Sequence, residues 1–225
     1  MIRKTLTASL LALAVAAPFA QAFEAGDIIV RAGAVTVDPH EDSSNISTAV
    51  TGPIGGTKAG LDSDTQLGLN FAYMVTNNIG IELLAATPFT HNVSVKGLGA
   101  PLDGNFGEVS HLPPTLSVVY YPLASQSTVQ PYVGLGVNYT WFFDDSLSSQ
   151  AKGNGFNGLD LDDSVGLAGQ VGVDFMLTDN IMLNGQLRYI DIDTEATSNH
   201  TALGKVKVDV DVDPWVYMVG LGYKF

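Results

Sequence analysis

Val208, Val210 and Val212 alternate with Asp209, Asp211 and Asp213, Ile190 and Ile192 with Asp191 and Asp193, and Val35 and Val37 with Thr36 and Asp38. Successive side chains of an extended chain point to opposite faces, so each run has one face for water and one apolar face. Gathered on one side, the seven aliphatic side chains form a wall with almost no hydrogen-bonding capacity. Its chemistry is noncovalent, the removal of an apolar solute from water. A bulge near Pro214 that shifts the register, or plain core packing, are competing readings of the same pattern.

A second group is ionisable. In the same phase, Arg31, Glu82, Asp174, Arg188 and Lys224 fall on the inward face with Asn70, Asn138, Gln170, Asn184 and Gln186. Charges enclosed in a narrow space have to be paired, so the mixed signs predict a network that plugs the space beneath the aliphatic wall. The alternative is a narrow polar channel suited to small zwitterions such as amino acids.

Proline makes the third group: Pro88 inside one run, and Pro113 with Pro114 opening the next. Proline has no backbone N–H and is normally excluded from paired strand interiors. Two strands that meet there should part, leaving either a lateral opening or a kink that shapes a loop.

Other residues carry less. His40, His91, His111 and His200 lie in or near polar loops without metal-ligand spacing and read as solvated histidines. Asp209, Asp211 and Asp213 read as a solvated acidic rim rather than a divalent-cation site. Asp62, Asp64, Asp160 and Asp162 would point inward if the phase of their strands held. Ser110 beside His111 makes a poor nucleophile and base, because adjacent strand residues face opposite ways. Neither an enzyme nor a bound cofactor or metal is expected.

The elements that must position these residues are short alternating segments: Asp27 to Val37, Asp64 to Val75, Gly80 to Val95, His111 to Pro122, Val129 to Phe143, Ser164 to Leu177, Ile181 to Asp193 and Val206 to Phe225. Leu67, Leu69, Phe71 and Tyr73 oppose Gln66, Gly68, Asn70 and Ala72, and Val133, Leu135, Val137, Tyr139 and Trp141 oppose Gly134, Gly136, Asn138 and Thr140. Tight turns such as Asn77-Asn78 alternate with long polar, Gly-rich loops. This is the pattern of an all-β, eight-stranded antiparallel transmembrane β-barrel, with short periplasmic turns and long extracellular loops. Eight strands enclose side chains or one slender ligand, not a wide aqueous pore.

The termini agree. Trp215, Tyr217, Val219, Leu221, Tyr223 and Phe225 alternate up to an aromatic carboxyl terminus, as in a membrane strand with an interfacial aromatic. Arg3 and Lys4, the apolar run Leu10 to Ala17 and Ala20-Gln21-Ala22 read as a secretory signal peptide over residues 1–22, leaving residues 23–225 as one barrel domain. Ten basic against 23 acidic residues give a formal net charge of −13, which disfavours nucleic acid as a partner. With no cysteine, disulfides and thiolate metal sites are excluded.

The segments "GLDSDTQLGLNFAYM", "ELLAATPFTHNVSVKG", "HLPPTLSVVYYP", "QPYVGLGVNYTWFFDD" and "KVDVDVDPWVYMVGLGYKF" resemble the outer membrane protein W (OmpW) family, in particular its OprG-like branch. The likeness spans nearly the whole chain after the leader. It implies an eight-stranded barrel with a narrow apolar passage, used for uptake of small hydrophobic molecules that leave sideways through the wall, and it points to the same prolines. Relatives are also linked to small amino acids, stress adaptation and phage or bacteriocin attachment.

The expectation is therefore a bacterial outer-membrane barrel, functional as a monomer amid lipid and lipopolysaccharide. It would passively admit small hydrophobic solutes and release them near Pro88. Small amino acids or other polar solutes as cargo, or a structural or receptor barrel acting through its loops, are the alternatives.

Overall fold

A computed structural model describes residues 23–225, and the predicted leader lies outside the described residues. Eight strands form the barrel: β1 (Ile28–Asp38), β2 (Asp64–Met74), β3 (Ile79–Ala86), β4 (Thr115–Tyr120), β5 (Val129–Leu147), β6 (Ser164–Met176), β7 (Ile181–Ile190) and β8 (Trp215–Lys224). Each pairs antiparallel with its neighbours in sequence, and β8 pairs with β1 to close the ring. Closure leaves no open edge, the condition for a sheet to stand in hydrocarbon.

The alternation sorts the faces as the sequence indicates. Leu67, Phe71, Val137, Tyr217 and Leu221 are exposed on the outside, and Leu135 is 77% exposed, while Asn70, Ala72, Thr140 and Met218 are buried inside. Tyr139, Trp141, Tyr189 and Trp215 mark the upper limit of this apolar belt, where the Tyr139 hydroxyl donates to Asp163 at 2.6 Å. At the opposite rim two tight turns share one device: Thr76 Oγ1 accepts from Ile79 N, and Thr178 Oγ1 from Ile181 N, both at 2.9 Å, a hydroxyl substituting for a backbone acceptor.

Above the belt the sheet continues, as the sequence indicates for Phe89 to Val95 and Val206 to Asp211, and it also takes in sequence expected as loop at Lys58–Leu61, Phe156–Leu161, Thr194 to His200 and most of Gly104–Leu112. Phe89–Lys96 and Gly104–Leu112 continue β3 and β4 upward, with Lys58–Leu61 at their edge. On the other side Phe156–Leu161, Asp193–His200 and Gly204–Asp211 form a second sheet. The reason is apolar alternation: Val93, Val95, Val109, Val206 and Val210 are buried in these extensions.

Phase survives where the ladder is unbroken. Val212 N donates to Ile192 O at 2.8 Å and Ile190 N to Pro214 O at 3.2 Å, so Ile190, Ile192, Val210 and Val212 stay inward. It resets where a strand breaks, and here the structure corrects the sequence reading. Asp62, Asp160 and Asp162 are exposed, while Leu61 and Leu161 turn toward the interior; Asp64, opposite inward Val37 in the unbroken ladder, keeps its phase and is partly covered. In β1 and β8, Gly33 faces Gly220 across the ladder. A Cβ on either would strike the backbone of the other strand, so the strands coil more closely there than larger residues permit.

Candidate functional site

The interior is stacked in layers. At the periplasmic end Phe23, Ile29, Met74, Tyr121, Tyr132, Met176 and Met182 pack into an apolar floor. Above it lies the ionisable layer. Arg31 Nε and Nη2 grip both carboxylate oxygens of Asp174 at 3.0 and 2.6 Å, Nη2 also reaches the Tyr121 hydroxyl at 2.8 Å, and Nη1 donates to Asn70 Oδ1 at 3.0 Å. Glu82 Oε1 accepts from Arg188 Nη2 at 2.9 Å, Gln170 Nε2 at 2.8 Å and Gln186 Nε2 at 3.0 Å. Glu82 Oε2 lies 3.4 Å from Arg31 Nη1, joining the two halves. Two guanidinium groups and two carboxylates, all at most 1% exposed, balance in charge and cross-link β1, β3, β6 and β7.

Lys224 does not belong to this layer. It stands at the periplasmic rim, its Nζ 4.0 Å from Asp27, because the last residues of β8 pair with the bottom of β1.

On the charged layer rests the aliphatic chamber. Val35, Val37, Ile190, Ile192, Val210 and Val212 are buried in one cluster with Leu84, Phe89, Val93, Val109, Phe142 and Val216, and Val208 packs against it partly buried. Strands one, seven and eight supply one wall, as the sequence indicates. The opposite wall, built by Phe89, Val93, Val109 and Phe142, is absent from the sequence reading. Toward the outside the chamber holds a cavity of about 60 Å3 bounded by Ala59, Leu61, Val93, Leu161, Val208 and Val210. A smaller one, about 10 Å3, touches Val35, Leu84, Phe89, Pro113 and Ile190.

The smaller cavity abuts a break in the wall. The ladder between β3 and β4 ends at Leu84 opposite Thr115 and resumes above at Phe89 opposite His111. Ala85 to Pro88 and Leu112 to Pro114 therefore face each other without ladder pairs, at the height of Tyr139 and Trp141. Ala85 and Ala86 remain paired to β2. Pro88 is exposed on the outer side of the gap, Pro113 is buried on its inner side and Pro114 lies between these extremes. The carbonyls of Pro113 and Pro114 themselves have partners on β4 and β5. Asn138 Nδ2 donates to the carbonyls of Pro113 and Pro114 at 3.0 and 3.2 Å, Tyr139 N donates to Pro114 O at 3.1 Å, and Thr115 Oγ1 donates to Pro113 O at 3.2 Å.

Strand three changes phase at this break and turns His91 inward, while His111 keeps the inward phase of Thr115 and Ser117; both depart from the expectation of solvated histidines. His91 and His111 are 2% and 5% exposed and face the chamber, with Nε2 atoms 2.8 Å apart. Their outward neighbours Thr90, Asn92, Ser110 and Glu108 are polar, so the pair lies above the lipid belt. His200 is half-buried and its Nδ1 accepts from Ala202 N and Leu203 N, while His40 is exposed. Asp209 and Asp211 point outward, but Asp213 gathers with Asp191 and Asp193; no metal site is assigned there.

Burial pushes His111 down to about 3 and lowers His91 as well. An unfolded chain takes up protons near the ordinary value of 6.5, which the folded pair refuses. The pair's contribution is therefore intact above that value and lost progressively as pH falls below it. In detergent, the stability of the native protein relative to a His91→Leu/His111→Phe variant should fall between pH 6.5 and about pH 4. A difference in melting temperature that stays constant over that interval contradicts this assignment.

A closed eight-stranded barrel with an apolar, aromatic-edged outer belt and a side-chain-filled interior defines an outer-membrane β-barrel. The sequence model of the OmpW family matches residues 24–225. Outer membrane protein W of Vibrio cholerae serotype O1 is 45% identical over 204 residues, 91% of each chain, and that of Escherichia coli K12 is 42% identical over the full length of both. The crystal structure of the outer membrane protein OprG from Pseudomonas aeruginosa superimposes with a TM-score of 0.88 at 53% identity, covering 91% of this chain and 98% of that one. The chain belongs to the OmpW family, and it is an integral protein of the outer membrane.

Proposed function

We propose that the protein passively admits small, mainly hydrophobic molecules from outside, holds them in the aliphatic chamber and releases them sideways through the gap beside Pro88. The order of the layers carries this reading. Below the chamber a paired ionic layer and an aromatic-methionine floor stand in any straight path, whereas beside it the β3–β4 ladder is interrupted at the edge of the lipid belt. An apolar solute that leaves sideways enters hydrocarbon without crossing the charged layer. Movement is downhill, driven by partition into lipid.

Uptake of a hydrophobic solute and an amino acid of similar size into proteoliposomes tests the proposal, with Val210→Asp as the comparison. An unpaired carboxylate in the chamber makes it unfavourable for apolar cargo, so uptake of the hydrophobic solute should drop about tenfold with no matching loss for the amino acid. Unchanged hydrophobic uptake by a folded variant overturns the proposal.

A further inference from the structure

The histidine pair above the gap has a fixed proton arrangement. His91 Nδ1 faces the backbone carbonyl of Asp62 at 2.5 Å, an acceptor, so that nitrogen carries the proton. His91 Nε2 is then a bare lone pair, and the hydrogen bond at 2.8 Å has to be donated by His111 Nε2. A neutral imidazole has one donor and one acceptor, which leaves His111 Nδ1 as an acceptor. It is fully buried, and no donor among the described residues reaches it.

We propose that His111 Nδ1 is the polar anchor for cargo, so that the chamber prefers small hydrophobic molecules carrying one hydroxyl donor, such as a phenol or a short alcohol, over their ethers. The inference rests on the chamber reading above and names the substrate class within it. An unmet acceptor in an apolar setting is costly, and a hydroxyl that parts the side chains to reach it removes that cost, whereas an ether cannot. The ring lies between Phe89 and Phe142, each 5.6 Å away centroid to centroid, a setting that accepts an aromatic body beside the hydroxyl. His111 is also two residues from Pro113 on the same inward face, so a solute on its way to the gap passes the anchor.

Histidine nitrogen NMR of the refolded protein in micelles, titrated with para-ethylphenol and separately with its methyl ether, tests the assignment. The phenol should bind about fivefold tighter, the worth of one net hydrogen bond, and should move the His111 Nδ1 resonance on saturation. The ether should leave that resonance in place, and His111→Phe should bind both ligands equally. Equal affinity for the two ligands in the native protein, or phenol binding without the Nδ1 shift, overturns the anchor while leaving the chamber intact. Absence of binding by either ligand overturns the chamber reading and the anchor together. The native-protein comparison decides the matter even where the variant fails to fold.

Discussion

Glu82→Leu is expected to destabilise the barrel by about 3–5 kcal/mol, the usual cost of removing one partner from a buried ionic group. Glu82 is the acceptor shared by Arg188, Gln170 and Gln186, and its second oxygen faces Arg31. Without it the guanidinium of Arg188 loses its carboxylate in a fully enclosed layer, where Nε and Nη1 already lack partners among the described residues. Arg31 suffers less, because Asp174 holds it through two hydrogen bonds. The cost therefore falls on one half of the layer, and Glu82→Leu/Arg188→Met should recover most of it by replacing the pair with apolar volume. Urea unfolding in lipid vesicles measures both. A single-variant loss under about 1 kcal/mol, or a double variant no better than the single, refutes this division of the network.

Legibility of the chain followed the ladder. From Leu67 to Tyr73 and from Val133 to Trp141 every residue faces as the alternation says, because both neighbouring strands hold the pleat. The aliphatic set Val208 to Val212 carried its phase past Pro214 because Val212 remains bonded to Ile192. At Thr87 and Pro88 the count fails. Continued from Glu82, it places His91 outside, whereas the break shifts the strand by one and turns Phe89, His91 and Val93 inward. The same kind of reset at Asp62-Ser63 and at Asp162-Asp163 hid Leu61 and Leu161. A one-residue slip reverses every side chain beyond it, so Phe89, Val93, Leu61 and Leu161 were hidden from parity, whereas Phe142 and Val109 keep the phase of Thr140 and of Thr115. Only proline marked a position where the count could break. Lys224 was misplaced for another reason: parity gives the face of a residue and not its height along the barrel axis.

Restoring backbone donors at the gap should close the lateral route. In Pro88→Thr/Pro113→Val/Pro114→Val, each new residue brings an N–H, and β-branched side chains favour extended pairing. If two ladder bonds form between the facing segments, at about 1 kcal/mol each, opening the wall costs about 2 kcal/mol more, a roughly thirtyfold fall in the open population. Transfer of a hydrophobic solute into the proteoliposome membrane should slow by about that factor. Binding of the same solute to the variant in micelles, where no lateral step is needed, should stay near the native value. The joint outcome separates exit from capture. Loss of both binding and transfer means that the prolines shape the chamber instead, and unchanged transfer with the ladder shown by amide exchange to be zipped means that solute leaves by another way. The existing contacts favour slowed transfer with binding retained, since Asn138 already satisfies the Pro113 and Pro114 carbonyls from inside. The gap is thus held ready on the chamber side, and only its outer side lacks pairing to β3.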